Sequence, residues 1–276
     1  GNNRLEIAWT IVPALILVGV TVPTVATIYD LAAKPTGQVL NVNVIGHQWW
    51  WEFDYPGQKI VTANELHIPV GEPVYVSLCA GGLGYAKQVA PNDCQQGPAY
   101  ANIGADVIHS FWVPELAGKQ DVVPGRTNHL VLEADEPGTY SGQCAEFCGL
   151  SHAYMRFKVI AQPRDQFDQW VRDQQADAVT PAQGSLAATG MNEFLNGACI
   201  GCHAVQGTQA AAIGAPNLTH LMSRDCFAGC SFDLTEANLK RWLEDPPAMK
   251  AGSWMPNYHL TPDQIDALVA YLMALK

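Results

Sequence analysis

The chain has 276 residues, enough for two or three domains, and only 15% of them are charged, against roughly 25% in ordinary soluble domains. The net charge is −11, and the sequence has no basic stripe of the kind that binds phosphate groups. This argues against nucleic acid as a partner and favours a basic protein. Eight cysteines are too many for a reducing compartment unless they bind metal or haem, which indicates an extracytoplasmic redox protein.

The first predicted element is a membrane-spanning helix. Residues 7–29 form a stretch of 23 residues without a charged side chain, long enough to cross a hydrocarbon core of roughly 30 Å. A cleaved signal peptide is the alternative, but its apolar stretch is usually only about 7–15 residues long. Pro13 and Pro23 interrupt the helix, which a membrane tolerates when neighbouring helices satisfy the freed carbonyl groups. The prolines therefore favour a partner subunit.

The next part of the chain, residues 38–161, consists of short β-branched runs separated by turn residues. The clearest runs lie at 39–44, 74–78, 130–132 and 155–159. This pattern predicts an antiparallel sandwich or barrel. Residues 79–104 are rich in Gly, Pro, Ala and Gln and are predicted to form a long inserted loop, which a Cys79–Cys94 disulfide could staple.

The C-terminal part is predicted to be helical. The hydrophobic period becomes helical near Pro163, and a linker follows at 179–185. Three further helices are expected near 185–197, 235–245 and 262–275.

A cysteine- and histidine-containing motif follows the first of these helices in the sequence. Residues 199–203 read Cys-Ile-Gly-Cys-His, the Cys-x-x-Cys-His pattern in which two thiols bind the haem vinyl groups. Cys199 and Cys202 are then the attachment residues, and His203 is the proximal iron ligand. The alternative is a redox dithiol or a disulfide beside an unrelated histidine.

The sixth iron ligand has to come from farther along the chain. Met255 lies on a predicted loop before the last helix, and a thioether there would raise the haem potential. The competitors for this role are Met222, Met249 and His259. The carbonyl group of Pro216 is predicted to accept the proximal imidazole N–H and fix the ring, although an ordinary turn proline is the alternative.

A second constellation of ligand types lies between residues 144 and 155, with a histidine 35 residues upstream. Two thiolates spaced by four on one loop could each bridge two copper ions, with one imidazole per metal and weaker outer ligands. Such bridging shares the odd electron, so electron transfer needs little reorganisation. The alternative is a Cys144–Cys148 disulfide. The predicted copper ligands are His109, Cys144, Glu146 through its carbonyl oxygen, Cys148, His152 and Met155.

A third cysteine pair serves as an internal comparison. Cys226 and Cys230 have the same spacing as the copper thiols, but Leu234 stands where the copper loop has His152. The pair is therefore predicted to be a disulfide or two free thiols, and not a metal site.

The chain resembles subunit II of the haem–copper cytochrome c oxidases, in the variant with a fused cytochrome c domain. The resemblance depends on Glu6-x-x-Trp9-Thr10, Gly46-His47-Gln48-Trp49-Trp50-Trp51, Asp106-Val107-Ile108-His109-Ser110-Phe111, Pro124-Gly125-Arg126 and the loop from Gly142 to Met155. It implies a multi-domain fold with an N-terminal transmembrane helix, an all-β cupredoxin Greek-key barrel and an all-α class I cytochrome c domain. The expected boundaries are 1–35 for the helix, 36–162 for the barrel, 163–183 for a helical linker and 184–276 for the cytochrome c domain.

The resemblance also implies a function. The chain would be the electron-entry subunit of a respiratory terminal oxidase, passing electrons from a donor through covalent haem c to the binuclear copper centre called CuA. Haem and the oxygen-reducing site in subunit I would receive them, coupled to proton pumping. The implied partners are subunits I and III, a c-type cytochrome or cytochrome complex as donor, and membrane lipid. Both redox domains would lie on the periplasmic side of a bacterial cell membrane.

Three residues acquire further roles through the resemblance. The Glu146 carboxylate would approach a magnesium ion shared with subunit I. Trp49 corresponds to an electron-relay aromatic residue, the alternatives being barrel packing or a membrane-surface belt. Glu6 corresponds to a carboxylate at the mouth of a proton path, the alternative being an ordinary charge at a helix start. The family has two membrane helices before the barrel, whereas this sequence begins just ahead of the second.

Other functions fit less well. A stand-alone, membrane-tethered electron carrier is the main alternative, since it would need the same redox groups. Nitrous oxide reductase would require a large propeller and a His-rich copper cluster, which eight scattered histidines cannot build. A quinol-oxidase subunit II would lack the copper thiolates.

Overall fold

The computed structural model describes residues 1–37, 39–81 and 107–276. The chain divides into two units, residues 1–37 and 38–276. Most of the predicted insertion at 79–104 lies outside the described residues. Cys79 is disulfide-bonded, but Cys94, its predicted partner, also lies outside them.

The first unit is a single helix, α1 (Asn3–Ala32). It contains the predicted segment and extends it at both ends, and its length and mean hydropathy of 2.2 over the most apolar window suffice to cross a membrane. The Asn2 side chain caps it by accepting a hydrogen bond from the Leu5 N–H. Pro13 and Pro23 lie inside the helix as expected.

In the second unit, the described part of residues 39–162 forms two five-stranded sheets. The strands are β1 (Leu40–His47), β2 (Trp50–Tyr55), β3 (Ile60–Ala63), β4 (Glu65–Pro69), β5 (Val74–Ala80), β6 (His109–Trp112), β7 (Gln120–Val122), β8 (Asn128–Leu132), β9 (Gly138–Cys144) and β10 (Arg156–Gln162). Their order is β3-β2-β1-β5-β8 in one sheet and β4-β10-β9-β6-β7 in the other.

The pairing is mixed, so the expectation of a purely antiparallel sandwich is wrong at two places. β1 pairs with β5 and β4 pairs with β10 in parallel, while the other neighbours are antiparallel. The physical reason is that β4 belongs to the second sheet. The chain therefore leaves the first sheet after β3 and re-enters it at β5 in the direction of β1. Local alternation predicts a strand but not the direction of a distant partner.

Aromatic side chains fill the sandwich and support one end of it. Trp51 and Phe53 from β2 are fully buried, and the Trp51 ring packs edge-on against Phe111 with a centroid distance of 5.5 Å. Phe111 of β6 lies directly opposite Cys144 of β9 in the ladder. The packed core thus holds the C-terminal half of β6 beside the end of β9.

Helix α2 (Arg164–Gln174) occupies most of the predicted linker. It packs on the sandwich, because Phe167 is buried and the Trp170 indole stacks on the His67 ring at 4.3 Å. The helical period beyond Pro163 is thus confirmed.

The C-terminal module is helical, and its three predicted helices are present. Its elements are α3 (Leu186–Asn196), β11 (Cys226–Phe227), β12 (Phe232–Asp233), α4 (Glu236–Glu244), α5 (Pro246–Met249) and α6 (Pro262–Leu272). Helices α3 and α6 pack so closely at Gly190 that a β-carbon there would collide with the Ala267 carbonyl oxygen. A capping box of Thr261 and Gln264 begins α6.

Candidate functional site

Two cysteine side chains that are not joined by a disulfide form the centre of the first site. Cys144 ends β9, Cys148 lies on the following loop, and their sulfur atoms are 3.8 Å apart. Both side chains are buried, with exposures of 5% and 1%. The structure therefore does not contain the disulfide that was the alternative for this pair.

The other predicted copper ligands surround these sulfur atoms. His109 Nδ1 lies 3.8 Å from Cys144 Sγ, and His152 Nδ1 lies 3.5 Å from Cys148 Sγ. A weaker donor accompanies each thiol, since Met155 Sδ is 3.8 Å from Cys148 Sγ and the Glu146 carbonyl oxygen is 3.2 Å from Cys144 Sγ. Each sulfur atom thus has one imidazole and one weak donor beside it.

This donor set fits a pair of copper ions. Thiolate, imidazole and thioether ligands are those that copper prefers, and His109 and Met155 are fully buried. The hydrogen bond between the two thiols lowers the pKa of Cys144, which favours the thiolate form that binds metal. Bonds from Cys144 N to Met155 O and from Ala145 N to Ser110 O, both 2.9 Å, hold the loop in place.

Gly46 supports the site in a way that the sequence did not reveal. A β-carbon at this position would lie 2.9 Å from His109 Cδ2 and 3.2 Å from the Trp51 ring. Because Gly46 has no side chain, the His109 imidazole can occupy this position. The only signal in the sequence was the position of Gly46 at the start of the Gly-His-Gln-Trp motif.

The second site is a cavity of about 440 Å³ lined mostly by apolar side chains. His203 and Met255 both line it, whereas Met222, Met249 and His259, all within the described chain, do not. Cys199 is half-buried and Cys202 is exposed, and both are free thiols. Cys199 and Cys202 are not among the lining residues, but they lie next to His203 in the sequence. An apolar cavity with a histidine and a thioether, and two thiols just before that histidine in the chain, is the donor set that covalent haem requires, so these residues fit the group.

Two hydrogen bonds orient the predicted iron ligands. His203 Nδ1 lies 2.8 Å from the Pro216 carbonyl oxygen, as expected, which leaves Nε2 for a metal. Burial lowers the pKa of His203, which favours the neutral imidazole that binds metal. The Trp242 indole N–H donates to Met255 Sδ at 3.2 Å, a contact that nothing in the sequence indicated.

The β-sandwich supplies the other wall of this cavity. His47, Trp49 and Trp50 line it, and Trp49 is only 8% exposed. The Trp49 indole N–H donates to the Cys148 carbonyl oxygen at 2.9 Å. Trp49 thus lies between the cavity and the thiol loop, and its burial is inconsistent with a membrane-surface belt.

Glu6, Glu146 and the pair Cys226 and Cys230 are the remaining residues that the sequence singled out. Glu6 lies in the first turn of α1. The Glu146 side chain is exposed while its carbonyl oxygen faces Cys144. Cys226 and Cys230 form a disulfide, which decides between the two states expected for that pair.

Comparisons with known proteins agree with the two kinds of domain in the second unit. Residues 40–162 match the family model for the periplasmic domain of cytochrome c oxidase subunit II, and residues 187–276 match that for cytochrome c. Cytochrome c oxidase subunit 2 of Alkalihalophilus pseudofirmus is 42% identical over 282 residues, covering all of this chain and 74% of that protein. The Bacillus subtilis protein of the same name is 34% identical over 295 residues, covering all of this chain and 76% of its own length.

Among solved structures, the periplasmic domain of subunit II of the cytochrome oxidase of Bradyrhizobium japonicum is similar to this chain at 26% identity. It covers 51% of this chain and 96% of its own length, with a TM-score of 0.41. The family assignment depends on the relatives that align with the whole of this chain. The chain belongs to the cytochrome c oxidase subunit 2 family, in the form that ends in a cytochrome c domain, and is a subunit of a haem–copper oxidoreductase.

Proposed function

We propose that this chain is the electron-entry subunit of a respiratory terminal oxidase. It takes electrons from a c-type cytochrome or cytochrome complex through covalent haem c to a binuclear CuA centre. Haem and the oxygen-reducing site of subunit I receive them, and the complex pumps protons. The observation that carries the proposal is Trp49, which lines the haem cavity and donates a hydrogen bond to the Cys148 carbonyl oxygen.

Each redox group has its own set of ligands in this proposal. Cys199 and Cys202 attach the haem, His203 and Met255 hold its iron, and Pro216 orients the His203 ring. The copper pair is held by His109, Cys144, the Glu146 carbonyl oxygen, Cys148, His152 and Met155. When bound, each group supplies a one-electron redox centre.

The residues around the copper ligands keep water out and resist rearrangement. The sulfur atoms lie in a loop closed by backbone hydrogen bonds to β6 and to Met155, beside the aromatic core of the sandwich. Ligands that cannot move between oxidation states keep the reorganisation energy low. This supports a role in rapid electron transfer rather than in substrate chemistry.

Trp49 is the proposed relay between the two groups. Its indole lines the cavity and donates a hydrogen bond to the Cys148 carbonyl oxygen. This hydrogen bond and the covalent bonds of Cys148 connect the ring with the Cys148 sulfur atom, which would be a copper ligand. Packing is a second role of Trp49, since it also belongs to the buried core cluster of the sandwich. The relay role requires the N–H group, whereas packing requires only the ring.

The surface beside the copper ligands is the proposed contact with subunit I. Phe147 and Leu150 are 75% and 78% exposed, and exposed apolar residues of this size are typical of an interaction surface. The exposed Glu146 carboxylate would share a magnesium ion with subunit I there. Helix α1 anchors the chain in a bacterial cell membrane beside subunits I and III, with both redox domains on the periplasmic side and Glu6 at the mouth of a proton path.

A metal and haem count on the purified oxidase tests the proposal. We expect two copper ions bound by this chain and one haem that stays attached to it after denaturation. The copper content of an oxidase preparation that lacks this chain is measured as well. Subtracting it from the total gives the copper bound by this chain. A single copper ion here, or a haem that is extracted by acidic acetone, would contradict the ligand sets.

A further inference from the structure

One buried lysine lies where the helical module meets the β-sandwich. Lys250 follows α5 and is only 5% exposed. Its ammonium group donates to the carbonyl oxygen of Ala228 at 2.6 Å, of Trp49 at 2.7 Å and of Tyr154 at 3.0 Å. Three carbonyl oxygens therefore surround Nζ, one for each N–H donor that the charged form of lysine has.

The three acceptors come from three separate segments. Trp49 is the proposed relay residue, and Tyr154 lies in the turn between the ligands His152 and Met155. Ala228 lies in the loop closed by the Cys226–Cys230 disulfide. The ammonium group therefore joins the helical module to the relay residue and to the copper-ligand turn at a single point.

The surroundings leave little room for another arrangement. Gly229 has a φ of +70°, and a β-carbon there would lie 2.7 Å from Lys250 Nζ and 2.7 Å from the carbonyl oxygens of Trp49 and Tyr154. A β-carbon on Gly252 would lie 2.6 Å from the Trp49 ring. The Ser151 hydroxyl donates to the Ala251 carbonyl oxygen at 2.6 Å, next to Lys250 in the chain.

The buried position distinguishes Lys250 from a second lysine at the same boundary. Lys158 pairs with Asp225 at 3.2 Å, but the two side chains are 29% and 75% exposed. Exposed pairs contribute little to stability because water and salt screen them. Hydrogen bonds from a buried ammonium group are stronger, and leaving its acceptors unpaired is costly. The two lysines therefore form a matched pair for comparison.

We propose that Lys250 is a positioning residue that fixes the haem-binding module against Trp49 and the copper-ligand turn. Electron transfer between haem and copper then takes place in one permanent geometry, and not through encounters of a tethered domain. The transfer takes one electron from ferrous haem, which becomes ferric, and gives it to the oxidised copper pair without forming or breaking a bond. This inference rests on the proposed function.

The test compares Lys250→Met with Lys158→Met in the complete oxidase. After rapid photoreduction of the haem, the transfer rate to copper should fall about tenfold or more in Lys250→Met, because small misplacements of reacting groups cost large factors in rate. The remaining rate should also decrease with solvent viscosity. Both the rate and its independence of viscosity should stay unchanged in Lys158→Met. Reduction of the haem by the external donor should be the same in both variants.

Hydrogen exchange provides a readout that does not depend on electron transfer. The amide of Arg156, which bonds to the Gly229 carbonyl oxygen at 2.9 Å, should exchange faster in Lys250→Met and in Gly229→Ala but not in Lys158→Met. Normal transfer rates and protection in Lys250→Met would overturn the inference. If the Lys250→Met protein does not accumulate in cells, the transfer rate and the hydrogen exchange are measured on Gly229→Ala instead. Loss of copper or haem from the wild-type chain would instead contradict the proposed function.

Discussion

Two cysteine pairs with the same four-residue spacing have different surroundings. Cys144 and Cys148 are two separate thiols, and an imidazole nitrogen lies 3.8 Å from the first sulfur atom and 3.5 Å from the second. Cys226 and Cys230 form a disulfide, and their loop contains the left-handed residues Ala228 and Gly229. Spacing alone does not determine the state of a pair, and the neighbouring histidines were the informative signal.

Replacing Cys148 by Ser tests the copper assignment. Loss of one of the two thiolates that would hold the copper pair should abolish the mixed-valence near-infrared absorption. The haem spectrum should stay intact, because the candidate haem ligands belong to another module. The double variant Cys226→Ser/Cys230→Ser is the control and should retain the copper band. An unchanged band in the Cys148 variant would contradict the ligand set.

Replacing Met255 by Ala tests the sixth iron ligand. A thioether ligand favours reduced iron, so the midpoint potential of the haem should fall markedly in a redox titration. Met222→Ala is the control, since Met222 packs in the same module but does not line the cavity. A shift in the Met222 variant, with none in the Met255 variant, would reverse the assignment.

At the scale of elements, the crossing of α3 and α6 organises the haem module. Gly190 is buried in α3 and lies against the backbone of α6, while Phe194 packs on Tyr271 with a centroid distance of 5.6 Å. The absence of a side chain at Gly190 allows the helix backbones to approach. This contact positions the helix that carries Leu272, which is part of the cavity wall.

We expect Gly190→Ala to destabilise the module. Overpacking of this kind costs about 1–3 kcal/mol, and here backbone atoms stand in the way. Denaturant unfolding followed by haem absorption should show an earlier transition. Gly57→Ala, where a β-carbon would have no atom within 4 Å, should unfold like the wild type. Equal midpoints for the two variants would show that the helices can move apart freely.

The elements differ in how well the sequence predicted them. The runs that became β1, β5, β8 and β10 and the three C-terminal helices follow local hydrophobic periods, so residue patterns were sufficient. The parallel pairing of β1 with β5 was not predictable, because it depends on a crossing between sheets. The packing of Trp170 on His67 likewise depends on residues about a hundred positions apart.

At the scale of the whole molecule, the boundary between the sandwich and the helical module is formed by contacts between residues that are far apart in the sequence. The Glu65 carboxylate accepts a hydrogen bond from the Asp225 N–H at 2.7 Å, and burial raises the pKa of Glu65. Lys250 reaches the Trp49 carbonyl oxygen across 201 positions of sequence. Most of the candidate ligands lie in short motifs that the sequence shows directly, whereas Gly46 and Lys250 contact residues far along the chain.

The arrangement also affects how a donor reaches the copper pair. Trp49 faces the haem cavity and is almost completely buried, so an external cytochrome has no access to its ring. Electrons should therefore enter at the haem. The order in which the two groups are reduced is the central claim of the proposed function.

Time-resolved absorption of the complete oxidase, mixed rapidly with a reduced c-type cytochrome, tests this order most directly. We expect the haem band of this chain to appear first and the near-infrared copper band to bleach afterwards, at the rate at which the haem becomes oxidised again. Bleaching of the copper band before any haem of this chain is reduced would contradict the proposed route.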